Sequence, residues 1–181
     1  MFVMETGVTF IIGGARSGKS SFALQKASGI KGRKAFIATA EAFDDEMKAR
    51  IESHRAERGG EWDTYEETIK VPRIVNEVKN GYSVAVLDCL TIWLSNLLVK
   101  TEAEDQKHQT IKETLRSFTG SIKDLGDLRL FIVSNEVGMG IVPENRLARQ
   151  FRDLAGRLNQ DMAQLADEVY MVTAGIPIKI K

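Results

Sequence analysis

Short apolar runs rich in β-branched residues alternate along the chain with segments of helical periodicity. The apolar runs predict strands at residues 8–12, 34–38, 83–87, 130–134 and 168–172. Most of these runs are continuous, which is typical of strands covered on both faces. The intervening segments predict helices at residues 19–28, about 44–58, 72–79, 91–100, about 105–124 and 143–167. This alternation predicts an α/β fold with a mostly parallel central sheet and helices on both of its faces.

The last predicted helix has the clearest pattern. Apolar residues recur at spacings of three and four between Leu147 and Leu165, and Pro143 suits a first-turn position. After Gly175, the segment "PIKIK" predicts a short edge strand with Pro177 at its start, protected by its lysines. The arginines of this helix are interpreted as part of a solvated face; they are Arg146, Arg149, Arg152 and Arg157. Asp153 and Asn159 are interpreted as residues of the same face that pair with these arginines.

Composition narrows the class of protein. With 181 residues, of which 43% are hydrophobic, the chain can bury one good core, so we expect a single domain over residues 1–181. Twenty-five basic and 25 acidic residues give zero net charge, which favours neither nucleic acid nor an anionic membrane as partner. No apolar run approaches the length of a membrane span. The apolar run near the start lacks a basic segment before it and an A-x-A site after it, so we expect no cleaved signal peptide. We expect a cytoplasmic protein.

A phosphate-binding loop is predicted directly after the first strand. The segment "GGARSGKS" fits the pattern G-x-x-x-x-G-K-[ST] and opens a helix, so that backbone N–H groups and the positive helix end converge on an anion. Lys19 is expected to reach the β and γ phosphates of a nucleotide, and the Ser20 hydroxyl to ligate Mg²⁺. Arg16 is either a further cation at the phosphates or a solvent-facing side chain. The loop consists of Gly13, Gly14, Ala15, Arg16, Ser17, Gly18, Lys19 and Ser20.

A carboxylate at the end of another strand is the candidate partner for the metal ion. Asp88 follows the apolar run "VAVL", at the edge of the sheet where parallel folds bind ligands. We favour a role with Mg²⁺, and the alternative is an N-cap of the following helix. Cys89 is interpreted as a small buried residue and not as a nucleophile.

The predicted helix at about 44–58 carries an unusual stripe. At 100° per residue, Met47, Ile51, His54 and Arg58 fall close to one line, so an apolar stripe ends in an imidazole and a guanidinium. Periodicity alone favours a hydrogen-bonded core histidine at position 54. Three other residues are considered for a functional role. Trp62 and Trp93 are interpreted as packing residues, with guanine stacking as an alternative for Trp62. His108 is interpreted as an exposed residue without a function.

Four blocks of sequence carry a family resemblance that spans residues 13–181. They are "GGARSGKS", "IATAEAFDDEMKARIESHRAER", "LDCLT" and "SNEVGMGIVPENRLAR" (residues 134–149), which opens the long block that continues to Lys181. The chain resembles the bifunctional adenosylcobinamide kinases / adenosylcobinamide-phosphate guanylyltransferases of cobalamin biosynthesis. The resemblance implies phosphorylation of the aminopropanol hydroxyl of adenosylcobinamide by GTP or ATP. It then implies transfer of GMP from GTP to adenosylcobinamide phosphate, with release of pyrophosphate.

The same resemblance implies roles for individual residues. The family's guanylylated histidine lies in an "R-I-x-x-H" pattern, which here ends at His54, and Ser53 stands where some members have a second histidine. Nucleotide contacts are implied at the phosphate-binding loop and at Thr39, Ala40, Glu41, Arg55, Ala56, Glu57, Arg58, Glu66 and Asp88. A homo-oligomer is implied as well, with a trimer as one arrangement. Apart from the resemblance, the position of Asn135, Glu136, Gly138 and Gly140 after a predicted strand places them at the binding edge, where we expect them to line either the corrinoid pocket or a subunit interface.

Two other classes of function remain as alternatives at this stage. One is a single-step P-loop kinase for a small molecule, in which the helix carrying His54 only lines the acceptor site. The other is a nucleotide-dependent switch or assembly protein without a small-molecule acceptor. A guanylyl group retained on the protein would distinguish the bifunctional enzyme from the single-step kinase. A requirement for cobinamide in phosphate transfer would argue against the switch or assembly protein.

Overall fold

The computed structural model describes residues 7–41, 55, 59–103 and 105–181. The strands are β1 (Gly7–Gly13), β2 (Lys34–Ala38), β3 (Trp62–Glu66), β4 (Val84–Asp88), β5 (Arg129–Asn135), β6 (Glu168–Thr173) and β7 (Ile176–Lys179). The helices of the described ranges are α1 (Lys19–Ser28), α2 (Val71–Val78), α3 (Leu90–Lys100), α4 (Lys107–Ser121) and α5 (Arg146–Leu165). The predicted helix at 44–58 lies outside the described residues, apart from Arg55.

The seven strands found among the described residues form one sheet in the order β3-β2-β4-β5-β1-β6-β7. Strands β1 to β6 are parallel to their neighbours, and β7 pairs antiparallel with β6 at the edge. The α/β class, the mostly parallel sheet and the short final edge strand are thereby confirmed.

Helices cover both faces of the sheet, which explains why the strands are continuous apolar runs. On β5, Leu130 and Ile132 face one core, which also contains residues of α2 to α5. Phe131 and Val133 face the opposite core, where they pack with Ala23 of α1. Because successive side chains of a strand point to opposite faces, burial on both sides requires every position to be apolar.

Strand β3 was not predicted. Its sequence, "WDTYE", lacks an apolar run because β3 is the outer strand of the sheet and only Trp62 on it is buried. Trp62 packs edge-on against Phe36, and the Trp93 indole donates to the Ile69 carbonyl at 2.8 Å. Both tryptophans are therefore packing residues, as predicted, and His108 is exposed.

The start of α5 corrects the prediction for Pro143. The helix begins at Arg146, and the Asn145 side chain caps it by accepting from the Ala148 N–H at 3.0 Å. Pro143 instead lies in the preceding loop, where its carbonyl accepts from the Arg149 guanidinium at 3.0 Å.

The predicted solvated face of α5 is only partly confirmed, because some of its polar residues are buried or half-buried. Arg146 and Arg157 are exposed, but Arg149 is half-buried and bonded to the loop before the helix. Asp153 lies 3.8 Å from the half-buried Arg152, as an ion pair. Asn159 is buried and accepts from the Ser134 hydroxyl at 2.7 Å, so it faces the sheet and pairs with no arginine among the described residues.

The β6–β7 hairpin closes the end of the sheet. Ala174 and Gly175 form its turn, and both have positive φ, at 50° and 79°, as a two-residue hairpin of this hand requires. Strand β7 begins at Ile176, one residue before the predicted start at Pro177, and all of its residues are exposed. The Glu168 carboxylate on β6 bonds to the ammonium groups of Lys179 at 2.5 Å and Lys26 at 3.3 Å.

Within the described ranges, none of the helices has the length and apolar character needed to cross a lipid bilayer.

The Glu168 contacts predict a pH-dependent contribution to stability. The hydrogen bond from Lys179 is the largest cause that lowers the pKa of Glu168 below its ordinary value of 4.5. A carboxyl whose pKa is lowered in the folded state stabilises the fold above its unfolded pKa and loses that contribution as the pH falls. We expect Glu168→Gln to reduce the free energy of unfolding at pH 7 by roughly 0.5–1 kcal/mol.

Urea denaturation at several pH values tests this expectation. The difference between wild type and Glu168→Gln should shrink as the pH falls below 4.5, while Glu77→Gln, on the exposed surface of α2, should change little at any pH. A difference that is constant from pH 7 to pH 3.5 would contradict the assigned role.

Candidate nucleotide-binding site

The predicted site residues converge because the strands are parallel and in register. Ala38 at the end of β2 is paired with Glu66 at the end of β3 and with Asp88 at the end of β4. On the other side of the sheet's centre, Gly13 at the end of β1 is paired with Asn135 at the end of β5. The carboxyl ends of these five strands therefore form one edge that carries candidate residues from four separate segments of sequence.

The segment "GGARSGKS" forms a loop between β1 and α1, as predicted. Lys19 is buried, and its ammonium donates to the Gly14 carbonyl at 2.8 Å, so its side chain folds back over the loop. Gly18 has a φ of 93° and directly precedes the first residue of α1. Arg16 is exposed, and its φ of 55° is unusual for a residue with a side chain. The loop thus exposes its tip while its lysine is held inside.

Two backbone hydrogen bonds attach the loop to the residue after β5 and to the turn after β6. The Glu136 N–H donates to the Gly13 carbonyl at 2.9 Å, and the Gly175 N–H of the β6–β7 turn donates to the Ser17 carbonyl at 2.9 Å. Among the described side chains, the Ser17 hydroxyl is buried without a hydrogen-bond partner. These backbone contacts fix the loop without using its side chains.

Asp88 is half-buried at the end of β4, and it is not the N-cap of α3. The N-cap is Cys89, which has extended backbone angles and makes no side-chain capping bond. This geometry removes the alternative interpretation of Asp88 as a helix cap.

The charges of Asp88 and Lys19 both act on the buried Cys89 thiol. Burial raises the pKa of Cys89 to about 11, and the Asp88 carboxylate adds to that effect. The hydrogen bond with Thr91 and the positive charge of Lys19 oppose it. The sheet edge therefore brings the lysine of the loop and the carboxylate of β4 within electrostatic reach of one side chain. Cys89 itself is a buried thiol, as predicted.

The segment after β2 is divided between the interior and the surface. Thr39 is fully buried, and its hydroxyl accepts from the Cys89 N–H and donates to the Cys89 carbonyl, both at 2.8 Å. Ala40 is half-buried and Glu41 is exposed. Only the last two residues of this predicted contact segment present side chains at the surface.

One ion pair links two other predicted contact residues. The Arg55 guanidinium lies 2.6 Å from the Glu66 carboxylate at the end of β3, and both side chains are exposed. Four predicted residues of the same segment lie outside the described residues, namely His54, Ala56, Glu57 and Arg58. Their roles remain predictions.

A network of polar side chains behind the edge was missed by sequence reasoning. The Asn135 amide donates to the Thr91 hydroxyl at 2.7 Å, which joins β5 to the first turn of α3. The Asn96 amide donates to the Thr39 carbonyl at 2.9 Å and to the Thr68 carbonyl at 3.3 Å. The only sign of this network in the sequence is the presence of amide and hydroxyl side chains within otherwise apolar strands and helices. Their hydrogen-bond partners are distant in sequence and could not be identified from it.

Comparison with known proteins decides the family. The family model for cobinamide kinase / cobinamide phosphate guanyltransferase matches residues 9–180 of the chain. The chain belongs to this family. The match covers the phosphate-binding loop, Asp88 and the final edge strand, and it confirms the resemblance found in the sequence.

Individual relatives of known name agree with the family. The chain is 39% identical over 178 residues to the bifunctional adenosylcobalamin biosynthesis protein CobU of Escherichia coli (strain K12), an alignment covering 94% of this chain and 98% of the relative. It is 40% identical to the CobU protein of Salmonella typhimurium, with the same coverage. The CobP protein of Pseudomonas aeruginosa is 37% identical, covering 94% of this chain and 95% of the relative.

A solved structure supports the fold class independently. The chain matches a prototypical ATPase from the type III secretion system of pathogenic bacteria, with a TM-score of 0.59 and 10% identity. The match covers 96% of this chain but only 56% of the ATPase, so the chain spans little more than half of that protein's length. At this identity the likeness concerns the fold alone.

The environment of Cys89 predicts an unreactive thiol. With the pKa of Cys89 raised to about 11, its thiolate fraction at pH 8 is on the order of one in a thousand, and the sulfur is buried as well. We expect iodoacetamide at pH 8 to modify the folded protein at least 100-fold more slowly than the protein in 8 M urea. Mass spectrometry of timed samples measures both rates. Similar rates in the two states would contradict the described packing.

Proposed function

We propose that this chain is a two-step enzyme of adenosylcobinamide. In the first step, the aminopropanol hydroxyl attacks the γ-phosphorus of GTP or ATP, loses its proton, and releases the nucleoside diphosphate. In the second, a His54 nitrogen attacks the α-phosphorus of GTP and pyrophosphate leaves. The phosphate oxygen of adenosylcobinamide phosphate then attacks the same phosphorus and breaks the N–P bond, giving adenosylcobinamide-GDP. The observation that carries this proposal is the family match over residues 9–180, with the loop and the His54 pattern intact.

The phosphate-binding loop holds the triphosphate in this proposal. Residues 13–20 supply backbone N–H groups at the start of α1, and Lys19 turns from the Gly14 carbonyl to the β and γ phosphates. Phosphoryl transfer depends mainly on positioning and charge stabilisation, so one loop can serve both reactions by holding the triphosphate tail.

Ser20 and Asp88 are the proposed ligands of Mg²⁺, and their chemistry fits this ion. A hydroxyl and a carboxylate are hard oxygen donors, and Mg²⁺ commonly takes few protein ligands because phosphates and water fill the rest of its shell. When bound, the ion would neutralise charge on the transferring phosphates.

The remaining contact residues are proposed to bind the guanine nucleotide. Ala40 and Glu41 follow β2, and the Arg55–Glu66 pair stands at the end of β3, beside them on the same edge. Arg55 and Arg58 carry positive charge next to His54 in sequence, which suits the α-phosphate of the bound nucleotide. A neutral imidazole at this position is a competent nucleophile near pH 7.

We propose that residues 1–181 act as one domain and assemble as a cytoplasmic homo-oligomer, with a trimer as the candidate arrangement. The single seven-stranded sheet supports the first part. Exposed apolar side chains support self-association, since large exposed apolar groups often mark interfaces. They lie on and after β7 and in the loop before α5, and are Ile176, Ile178, Ile180, Met139, Ile141 and Val142.

Covalent labelling tests the proposed nucleophile. Incubation with GTP labelled at the α-phosphorus should leave an acid-labile, base-stable label on the wild-type protein. His54→Ala should abolish this label, whereas His108→Ala, which changes an exposed histidine of α4, should leave it intact. Label that persists in His54→Ala would remove His54 from the mechanism. A wild-type protein that transfers phosphate but never becomes labelled would be a single-step kinase.

The two half-reactions should respond differently to substitution. His54→Ala is expected to retain phosphorylation of adenosylcobinamide, because that step needs no histidine nucleophile. Lys19→Ala is expected to lose at least 100-fold of it, because the cation at the β and γ phosphates is removed. Lys112→Ala, on the exposed surface of α4, is the control. Chromatographic assay of adenosylcobinamide phosphate measures the step, and equal losses in the first two variants would indicate a structural histidine.

A further inference from the structure

Thr39 ties the end of β2 to the backbone that follows Asp88. The Thr39 N–H donates to the Asp88 carbonyl at 3.1 Å, which extends the β2–β4 ladder by one residue. Its hydroxyl then closes on the next residue, accepting from the Cys89 N–H and donating to the Cys89 carbonyl, both at 2.8 Å. One side chain thereby satisfies both backbone groups of Cys89.

The position of these bonds matters because Cys89 is the junction between β4 and α3. Cys89 is the N-cap of α3, with a φ of −139° and a ψ of 163°, and the Trp93 N–H reaches the Cys89 carbonyl at 3.2 Å to begin the helix. The hydroxyl of Thr39 fixes both peptide groups of this junction. The backbone that carries the Asp88 side chain is consequently held from its carboxyl side by a neighbouring strand.

Thr39 is itself fully held in place. It has no solvent-exposed surface, and its carbonyl accepts from the Asn96 amide on α3 at 2.9 Å. Its N–H, hydroxyl and carbonyl are thus all bonded within the protein. The described bonds of this residue are all made to its protein neighbours, through which it can act on the backbone after Asp88.

We propose that Thr39 is a positioning residue that orients the Asp88 carboxylate toward the divalent cation of the bound nucleotide. This inference rests on the proposed role of Asp88 as a metal ligand. Removal of the Thr39 hydroxyl leaves the buried Cys89 N–H without its described partner and the Cys89 carbonyl with the Trp93 N–H alone, so the junction must shift to regain a hydrogen bond. Partners that orient a metal ligand typically contribute 10- to 100-fold to metal affinity.

Binding of a non-hydrolysable GTP analogue, measured by calorimetry, tests the proposal without using activity. Titrations are made in excess EDTA and over a series of Mg²⁺ concentrations. For Thr39→Val, the Mg²⁺ concentration that gives half of the metal-dependent gain in affinity should rise roughly 10- to 100-fold. Affinity in EDTA is measured for each variant in parallel, so that any direct effect of Thr39 on nucleotide binding is separated from its effect on the Mg²⁺ response. Thr39→Ser, which keeps the hydroxyl, should restore the wild-type Mg²⁺ response.

Two further variants separate positioning from general destabilisation. Thr101→Val removes another buried hydroxyl, which donates to the Leu97 carbonyl at 2.8 Å at the far end of α3. It should leave the Mg²⁺ response unchanged even where the melting temperature falls. Should Thr39→Val fail to fold, Thr39→Ala removes the same hydroxyl with less steric change, and it carries the same expectation.

A fourth variant distinguishes failure of this inference from failure of the proposed metal-binding role of Asp88. Asp88→Asn tests the premise, because it should itself weaken the Mg²⁺ response. An unchanged response in Asp88→Asn would overturn the metal role of Asp88 and the inference with it. A weakened response in Asp88→Asn together with a normal one in Thr39→Val would overturn the positioning role alone. A loss of EDTA affinity in Thr39→Val that equals its loss in Mg²⁺ would also overturn it.

Discussion

The close approach of Gly13 to the neighbouring strands is the constraint on which the phosphate-binding loop depends. A Cβ atom at this position would lie 2.3 Å from the Val172 carbonyl oxygen and 2.7 Å from the Ser17 hydroxyl, so no side chain fits. The missing side chain lets Gly13 pack directly against this carbonyl and hydroxyl, while the Gly13 carbonyl accepts from the Glu136 N–H. The Ser17 carbonyl accepts from the Gly175 N–H, and the buried Lys19 ammonium donates to the Gly14 carbonyl.

Parallel register extends this constraint across the sheet. Since adjacent strands end together, the register alone brings Asp88 and Glu66 to the same edge as the loop. Polar side chains then fasten the edge: Thr39 holds the junction after β4, and Asn135 joins β5 to α3 through Thr91. Rigidity of this kind suits phosphoryl and nucleotidyl transfer, in which catalysis depends largely on fixed positions of charge.

The parts of the molecule that could be predicted from sequence are those with a local signal. The loop follows from one string of residues, and the inner strands from continuous apolar runs. Strand β3 was missed because an outer strand needs no such run, and α5 was started too early because Asn145, and not Pro143, provides its cap. The bonds of Thr39, Asn96 and Asn159 could not be predicted, because each depends on the register of strands and helices that are distant in sequence.

We propose that one edge of the sheet holds the nucleotide for both reactions. Equilibrium dialysis with radiolabelled, non-hydrolysable analogues of GTP and ATP tests it most directly, with wild-type protein and Mg²⁺ present. We expect one nucleotide bound per chain at saturation, with each analogue displacing the other completely. Two nucleotides bound per chain, or a GTP analogue that excess ATP analogue fails to displace, would contradict it.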